Sequence, residues 1–125
     1  MPPHCIAVFA RWPAVGRVKS RLSPALPPPL ACRLYVAMLA DALAAAAGAG
    51  PGERFLYWAD APGGAPEAPP ELRDRAAGFT ARAQSGDGLG ARLESAFAEL
   101  LAGGAHAIVI GADCPRLDAA RVAVA

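Results

Sequence analysis

Four basic side chains, Arg11, Arg17, Lys19 and Arg21, fall in one short segment that also carries Pro13 and Gly16. Cations at that density, beside the exposed main-chain N–H groups of a loop, suit a compact anion such as phosphate. Lys19 is the single lysine among the twelve basic residues of the chain. Its retention in an arginine-rich composition points to a need for a compact ammonium on a flexible stem. A solvated charged loop would have the same composition, so the segment gains meaning only in company.

Two further segments supply that company. Gln84 to Leu93 reads Gln-Ser-Gly-Asp-Gly-Leu-Gly-Ala-Arg-Leu, a Gly-rich turn entering a helix. Such an entry presents free N–H groups and the positive end of a helix dipole, with Gly90 and Arg92 as candidate phosphate contacts. The simpler alternative is flexible capping. Ile110 to Leu117 reads Ile-Gly-Ala-Asp-Cys-Pro-Arg-Leu. An acid at the end of a buried strand, followed closely by proline, is placed to hold Mg2+ or Mn2+ bridging a diphosphate, which makes Asp113 the candidate metal ligand. Its alternative is an aspartate that accepts backbone N–H bonds at a helix entry.

Other chemistries fit less well. Lys19-Ser20 after Gly16 suggests a P-loop, but Val18 precedes the lysine where a glycine is required, and the earlier glycine of the motif is absent. No Gly-x-Gly-x-x-Gly follows the first strand, which removes the dinucleotide fingerprint. Cys114 has no histidine obviously placed to activate it, so a packed thiol is the default.

These segments must be positioned by ordinary elements. Cys5 to Phe9 is a short apolar run that reads as a buried strand. Ser23 to Pro29 is too proline-rich for regular structure, and a helix follows from about Leu30 to Ala47. Its apolar stripe runs through Tyr35, Leu39 and Leu43, widened by Leu34, Val36 and Met38, with Gly48 as the stop. Phe55 to Ala59 is the second strand, with Tyr57 and Trp58 as packing residues rather than base-stacking ones. Asp60 to Pro70, with four prolines and two glycines, is a surface loop. A helical turn over Glu71–Ala77 and a short strand over Phe79–Ala83 come next. Leu89, Leu93, Phe97 and Leu100/Leu101 then mark a helix, Ala105–Ile110 a buried parallel strand, and Asp118 the cap of a last helix.

Strands that alternate with helices imply an α/β fold: a three-layer αβα arrangement around a mostly parallel sheet. Ligands in such sheets bind outside the carboxyl ends of the strands, where the loops after Phe9 and after Ile110 both emerge.

The bulk numbers bound the rest. The 125 residues are one domain's worth. A net charge of +1 gives no global field toward nucleic acid or anionic membrane, so neither is an expected partner. The longest apolar runs are broken by Gly, Pro or Arg short of a membrane span. The N-terminus has no basic region leading into an apolar stretch, and the odd, scattered Cys5, Cys32 and Cys114 suit reduced thiols. A soluble cytoplasmic protein is the expectation.

Taken together, Phe9-Ala10-Arg11-x-Pro13-x-x-Gly16-x-Val18-Lys19-Ser20-Arg21-Leu22, Gln84 to Leu93 and Ile110-Gly111-Ala112-Asp113-Cys114-Pro115-x-Leu117 resemble the motifs of the bacterial DUF2064 family. These are transferases of glycosyltransferase-A (GT-A) type, associated with radical-SAM or selenium-domain proteins and in some settings with arsenosugar biosynthesis. The resemblance implies the nucleotide-diphospho-sugar transferase fold, with a nucleotide-sugar or NTP as the small-molecule partner. Ala10, Arg11, Gly16, Arg17, Lys19 and Arg21 would embrace the nucleotide and its phosphates, Gly90 and Arg92 would assist, and Asp113 would take the metal. Lys19 and Asp113 are the residues it implies for catalysis. The activity implied is metal-dependent glycosyl transfer, with nucleotidyl transfer from an NTP, or nucleotide binding without turnover, as the rivals.

In the family the second motif usually reads Gly-Asp-Leu-Gly, whereas Asp87-Gly88-Leu89-Gly90 sets the acid one residue earlier. Family members also continue past the equivalent of Ala125, so residues 1–125 are expected to form one GT-A-like domain incomplete on its C-terminal side. An open sheet edge there would favour association into a homo-oligomer.

Overall fold

A computed structural model describes residues 4–14, 27–48, 52–63, 68–102 and 106–111. In chain order these form β1 (His4–Arg11), α1 (Pro28–Ala47), β2 (Glu53–Ala59), a 3-10 turn (Pro70–Leu72), α2 (Arg73–Ala76), β3 (Thr80–Ala83), α3 (Gly88–Leu101) and β4 (His106–Gly111). The four strands make one sheet in the order β3-β2-β1-β4, and every neighbouring pair is parallel. The expected alternation of strand and helix is therefore present. The last helix, predicted from Asp118, lies outside the described residues.

Side chains alternate across the strands and so divide the core in two. Ile6, Val8 and Ala10 of β1, with Leu56 and Trp58 of β2, face α1 and pack with Tyr35, Leu39, Ala42 and Leu43. Cys5, Ala7, Phe9, Phe55 and Tyr57 face the other way and pack with Ala96 and Leu100 of α3. Helices thus cover both faces, and the structure is three-layered. Tyr57 and Trp58 are each only 1% exposed, which makes both core residues.

The structure differs from the sequence reading in three respects, for identifiable reasons. α1 begins at Pro28, inside the proline-rich stretch. Proline is tolerated in the first helical turn because its missing N–H would have had no partner there. Leu34 is exposed rather than part of the buried stripe, and Leu89 is exposed at the start of α3, so neither belongs to the core. α1 is also long and apolar enough, at 20 residues and a mean hydropathy of 1.6, to cross a membrane by length and composition alone. The expectation that the apolar runs stop short of that length does not hold for it. Its inner side is nevertheless committed to the sheet, with Leu39 and Leu43 fully buried.

Candidate active site

The carboxyl ends of β1, β2 and β4 lie side by side, with Phe9 in register with Tyr57 on one side and Gly111 on the other. After β1 the chain builds β2 and β3 outward in one direction, then returns to place β4 on the opposite flank. The strand order therefore reverses next to β1, and in open α/β sheets a ligand crevice forms at that point. An open cleft of about 580 Å³ lies there. Its floor is Phe9, Ala10, Ala59 and Gly111, and Arg11, Tyr35, Gln84, Leu89 and Arg92 line it from the surrounding elements.

The edge is tied together by directed bonds. The Tyr35 hydroxyl of α1 accepts the main-chain N–H of Arg11 at 2.7 Å. Trp12 N–H donates to the Ala59 carbonyl at 2.9 Å, extending the β1–β2 pairing by one step. Trp12 then packs edge-on against Trp58 with ring centroids 5.0 Å apart. Gln84 N–H donates to the Trp58 carbonyl at 2.9 Å, while its side-chain amide reaches the carbonyls of Ala10 and Tyr57. These contacts fix where the first loop leaves the sheet.

The Gly-rich turn is shaped by steric need at two positions. Gly86 has φ +127°, and a Cβ there would lie 2.9 Å from the backbone of Ala91, so no side chain fits. Gly88 has φ +84° at the first residue of α3, a conformation open chiefly to glycine. Arg92 closes the turn by donating from Nε to the Gly86 carbonyl at 3.1 Å. The arrangement turns the first residues of α3, Gly88 and Leu89, toward the cleft. Asp87 is the N-cap residue, yet its side chain makes no capping bond.

Of the residues expected at the site, Ala10, Arg11 and Arg92 come together in the cleft lining. Gly90 lies on the first turn of α3, outside that lining. Gly16, Arg17, Lys19, Arg21 and Asp113 lie outside the described residues. Arg11 is also less free than a cluster of unpaired cations would require. Its Nε stands 3.8 Å from Asp60 Oδ2, both side chains being about half exposed. Asp60 follows β2 directly and is the one non-glycine with positive φ, +61°, among the described residues. Aspartate tolerates that region better than most residues, and such outliers gather at functional edges.

Among the described residues no three His, Cys, Asp or Glu side chains gather as a metal set. The pKa shifts lie away from the cleft. Burial, reinforced by Glu53 and opposed by Arg82, pushes the Cys5 thiol up. The hydrogen bond to Tyr57 raises the pKa of Arg82, so it stays charged.

Reading the sequence missed Gln84, Tyr35 and Asp60 as site residues. The usable signal for Gln84 and Asp60 was their position, one polar residue at or just beyond the end of a parallel strand. Tyr35 gave no separate signal, because its ring belongs to the apolar stripe of α1.

The sequence matches, over residues 41–125, the family described as an uncharacterized protein conserved in bacteria, DUF2064, and the chain belongs to that family. The basic segment after β1 precedes the matched region. A search of curated proteins finds no significant match. Among solved structures the chain is similar to one from Desulfovibrio desulfuricans G20, which is assigned as a nucleotide-diphospho-sugar transferase, an assignment rather than a demonstrated activity. The TM-score is 0.74 at 23% identity, over 95% of this chain and 51% of that one. The nucleotide-diphospho-sugar transferase type of fold is thereby shown, and the chain spans about half the length of that neighbour.

Proposed function

We propose that this domain binds the nucleoside diphosphate part of a nucleotide-sugar donor in the cleft beside β1 and serves glycosyl transfer from it. The observation that carries the reading is the convergence of Arg11, Arg92 and the N-terminal turn of α3 on one cleft at the point where strand order reverses. Similarity of fold to the Desulfovibrio protein supports it.

In the reaction the bond between the sugar anomeric carbon and the β-phosphate oxygen breaks, and an acceptor hydroxyl bonds to that carbon. The electron pair leaves with the nucleoside diphosphate, and the acceptor proton passes to solvent. Negative charge grows on the leaving diphosphate, so cations held at the mouth of β1 stabilise the transition state more than the ground state. Arg11 supplies one, and Arg17, Lys19 and Arg21 follow in the same segment. Asp113, two residues beyond β4, would hold Mg2+ or Mn2+ on the diphosphate, where the ion adds charge neutralisation.

Calorimetric titration with UDP-, GDP-, CDP- and ADP-sugars and with NTPs, each with and without Mn2+, tests the reading. Saturable binding of one nucleotide-sugar class is expected, weakened roughly tenfold in Arg11→Ala, as for loss of a charged hydrogen bond, and losing its Mn2+ dependence in Asp113→Asn. Binding of NTPs alone, with release of pyrophosphate on turnover, would replace glycosyl transfer by nucleotidyl transfer. A folded protein that binds neither class would remove the reading altogether.

A further inference from the structure

We propose that the outward face of α1 is an interface on which a second copy of this chain lays its own α1 in the opposite direction, the two helices crossing at Ala37. The surface lies across α1 from Tyr35, which lines the cleft, and apart from the sheet edge, where the sequence alone suggests association. It stands independently of the nucleotide reading.

At about 3.6 residues per turn, Leu30, Arg33, Leu34, Ala37, Asp41 and Ala44 share one side of α1. The opposite side carries Tyr35, Leu39, Ala42 and Leu43, which pack on the sheet. Leu30 and Leu34 are 45% and 42% exposed, and Met38 continues their row half-buried. Apolar surface of this kind gains from being covered.

The charges say what covers it. Arg33 and Asp41 are the only charged residues of α1, both exposed, and each stands four residues from the exposed Ala37 in opposite directions. Eight residues of helix, about 12 Å, keep them out of reach of one another. Neither has an ion-pair or hydrogen-bond partner among the described residues. A second α1 running antiparallel across Ala37 sets Arg33 against the second copy's Asp41, and Asp41 against its Arg33. A parallel copy would set like charge on like. The antiparallel contact uses the same patch on both copies and closes as a two-fold dimer. Alanine at the crossing lets the helices approach, because their separation follows the side chains held between them. Each Leu34 then lies beside the other copy's Met38. Exposed ion pairs add little affinity, so the apolar row supplies the attraction and the charges fix the direction. A lipid surface is the poorer occupant, since Arg33 and Asp41 would enter it from the middle of the face.

Sedimentation velocity of the native chain over a concentration series, alone and with anionic lipid vesicles, tests the proposal. A monomer–dimer equilibrium without vesicle binding is expected. Arg33→Asp and Asp41→Arg should each weaken the dimer roughly tenfold or more, since each variant alone creates two like-charge contacts. An equimolar mixture of the two variants should regain association, because each then presents the charges that the other lacks at both contacts. Circular dichroism checks that both variants fold. A native chain that stays monomeric, a dimer indifferent to both reversals, or a mixture that stays monomeric overturns the proposal. A monomer that sediments with the vesicles also overturns it and gives the face to a membrane.

Discussion

The two faces of the sheet are held by different forces, and the cleft lies where they meet. Toward α1 the core is apolar and dense: Val8, Leu39, Leu43, Leu56, Trp58 and Leu72 are all fully buried. Toward α3 the layer formed by the described residues is thinner and directional. Phe9 and Tyr57 pack at 5.4 Å, and Arg82 from β3 lies 4.3 Å over the Phe55 ring. Arg82 also donates to the Tyr57 hydroxyl at 3.1 Å and sits 3.6 Å from Glu99. Burial of area is insensitive to angle, whereas hydrogen bonds and ring contacts are not. The α1 face therefore holds the fold, and the α3 face sets where the Gly-rich turn and Gln84 stand.

Core truncation on each face should break that comparison most visibly. Leu39→Ala removes a fully buried side chain and is expected to cost near the top of the range of about 2–5 kcal/mol for such changes. Leu100→Ala, at the last turn of α3, is expected near the bottom of about the same range, because the helix end can settle into the space. Urea unfolding with unchanged m-values measures both. Equal losses would mean that the faces share the load.

Gly86→Ala comes next. Its Cβ would press on the Ala91 backbone at a φ that side chains rarely adopt, and a cost of about 1–3 kcal/mol follows. Ligand affinity should fall more than the stability loss explains, since the start of α3 must shift to make room. A loss of stability with full affinity would show that the turn does not position the cleft. A smaller effect, about 1 kcal/mol, is expected for Tyr57→Phe, which deletes the acceptor of the Arg82 hydrogen bond and leaves the ring packing. A double-mutant cycle with Arg82→Met measures their coupling, and additive losses would remove the directional account of this face.

The sequence made the architecture legible because the elements are locally consistent. Tyr35, Leu39 and Leu43 recur at helical spacing, and Ile108, Val109 and Ile110 form a β-branched run, so neither element has a competing reading. Its edges were less legible. Pro28 and Pro29 suggest a break, yet the first helical turn accepts them. The site was half visible for a related reason. Charge and glycine content mark Arg11, Gly86 and Gly88 directly, whereas Gln84 matters through bonds to residues 74 and 27 positions away. No local pattern carries that information. Leu89 misled because its spacing fits the apolar period of α3, while the helix begins at the cleft and leaves that first turn without a partner.

The smallest effect separates folding from function at one residue. Gly90 sits in the first turn of α3, has no positive φ, and has nothing within 4 Å of where a Cβ would stand. Nothing in the fold asks for glycine there, and glycine in a helix costs about 0.5–1 kcal/mol relative to alanine. Gly90→Ala should therefore stabilise the protein by about that amount in urea unfolding. If the residue also contacts phosphate, as expected of it from the sequence, the same methyl group should weaken nucleotide binding. A more stable protein with weakened binding would extend the site along α3 beyond the cleft lining, and one with unaltered binding would confine it to Gly88, Leu89 and Arg92.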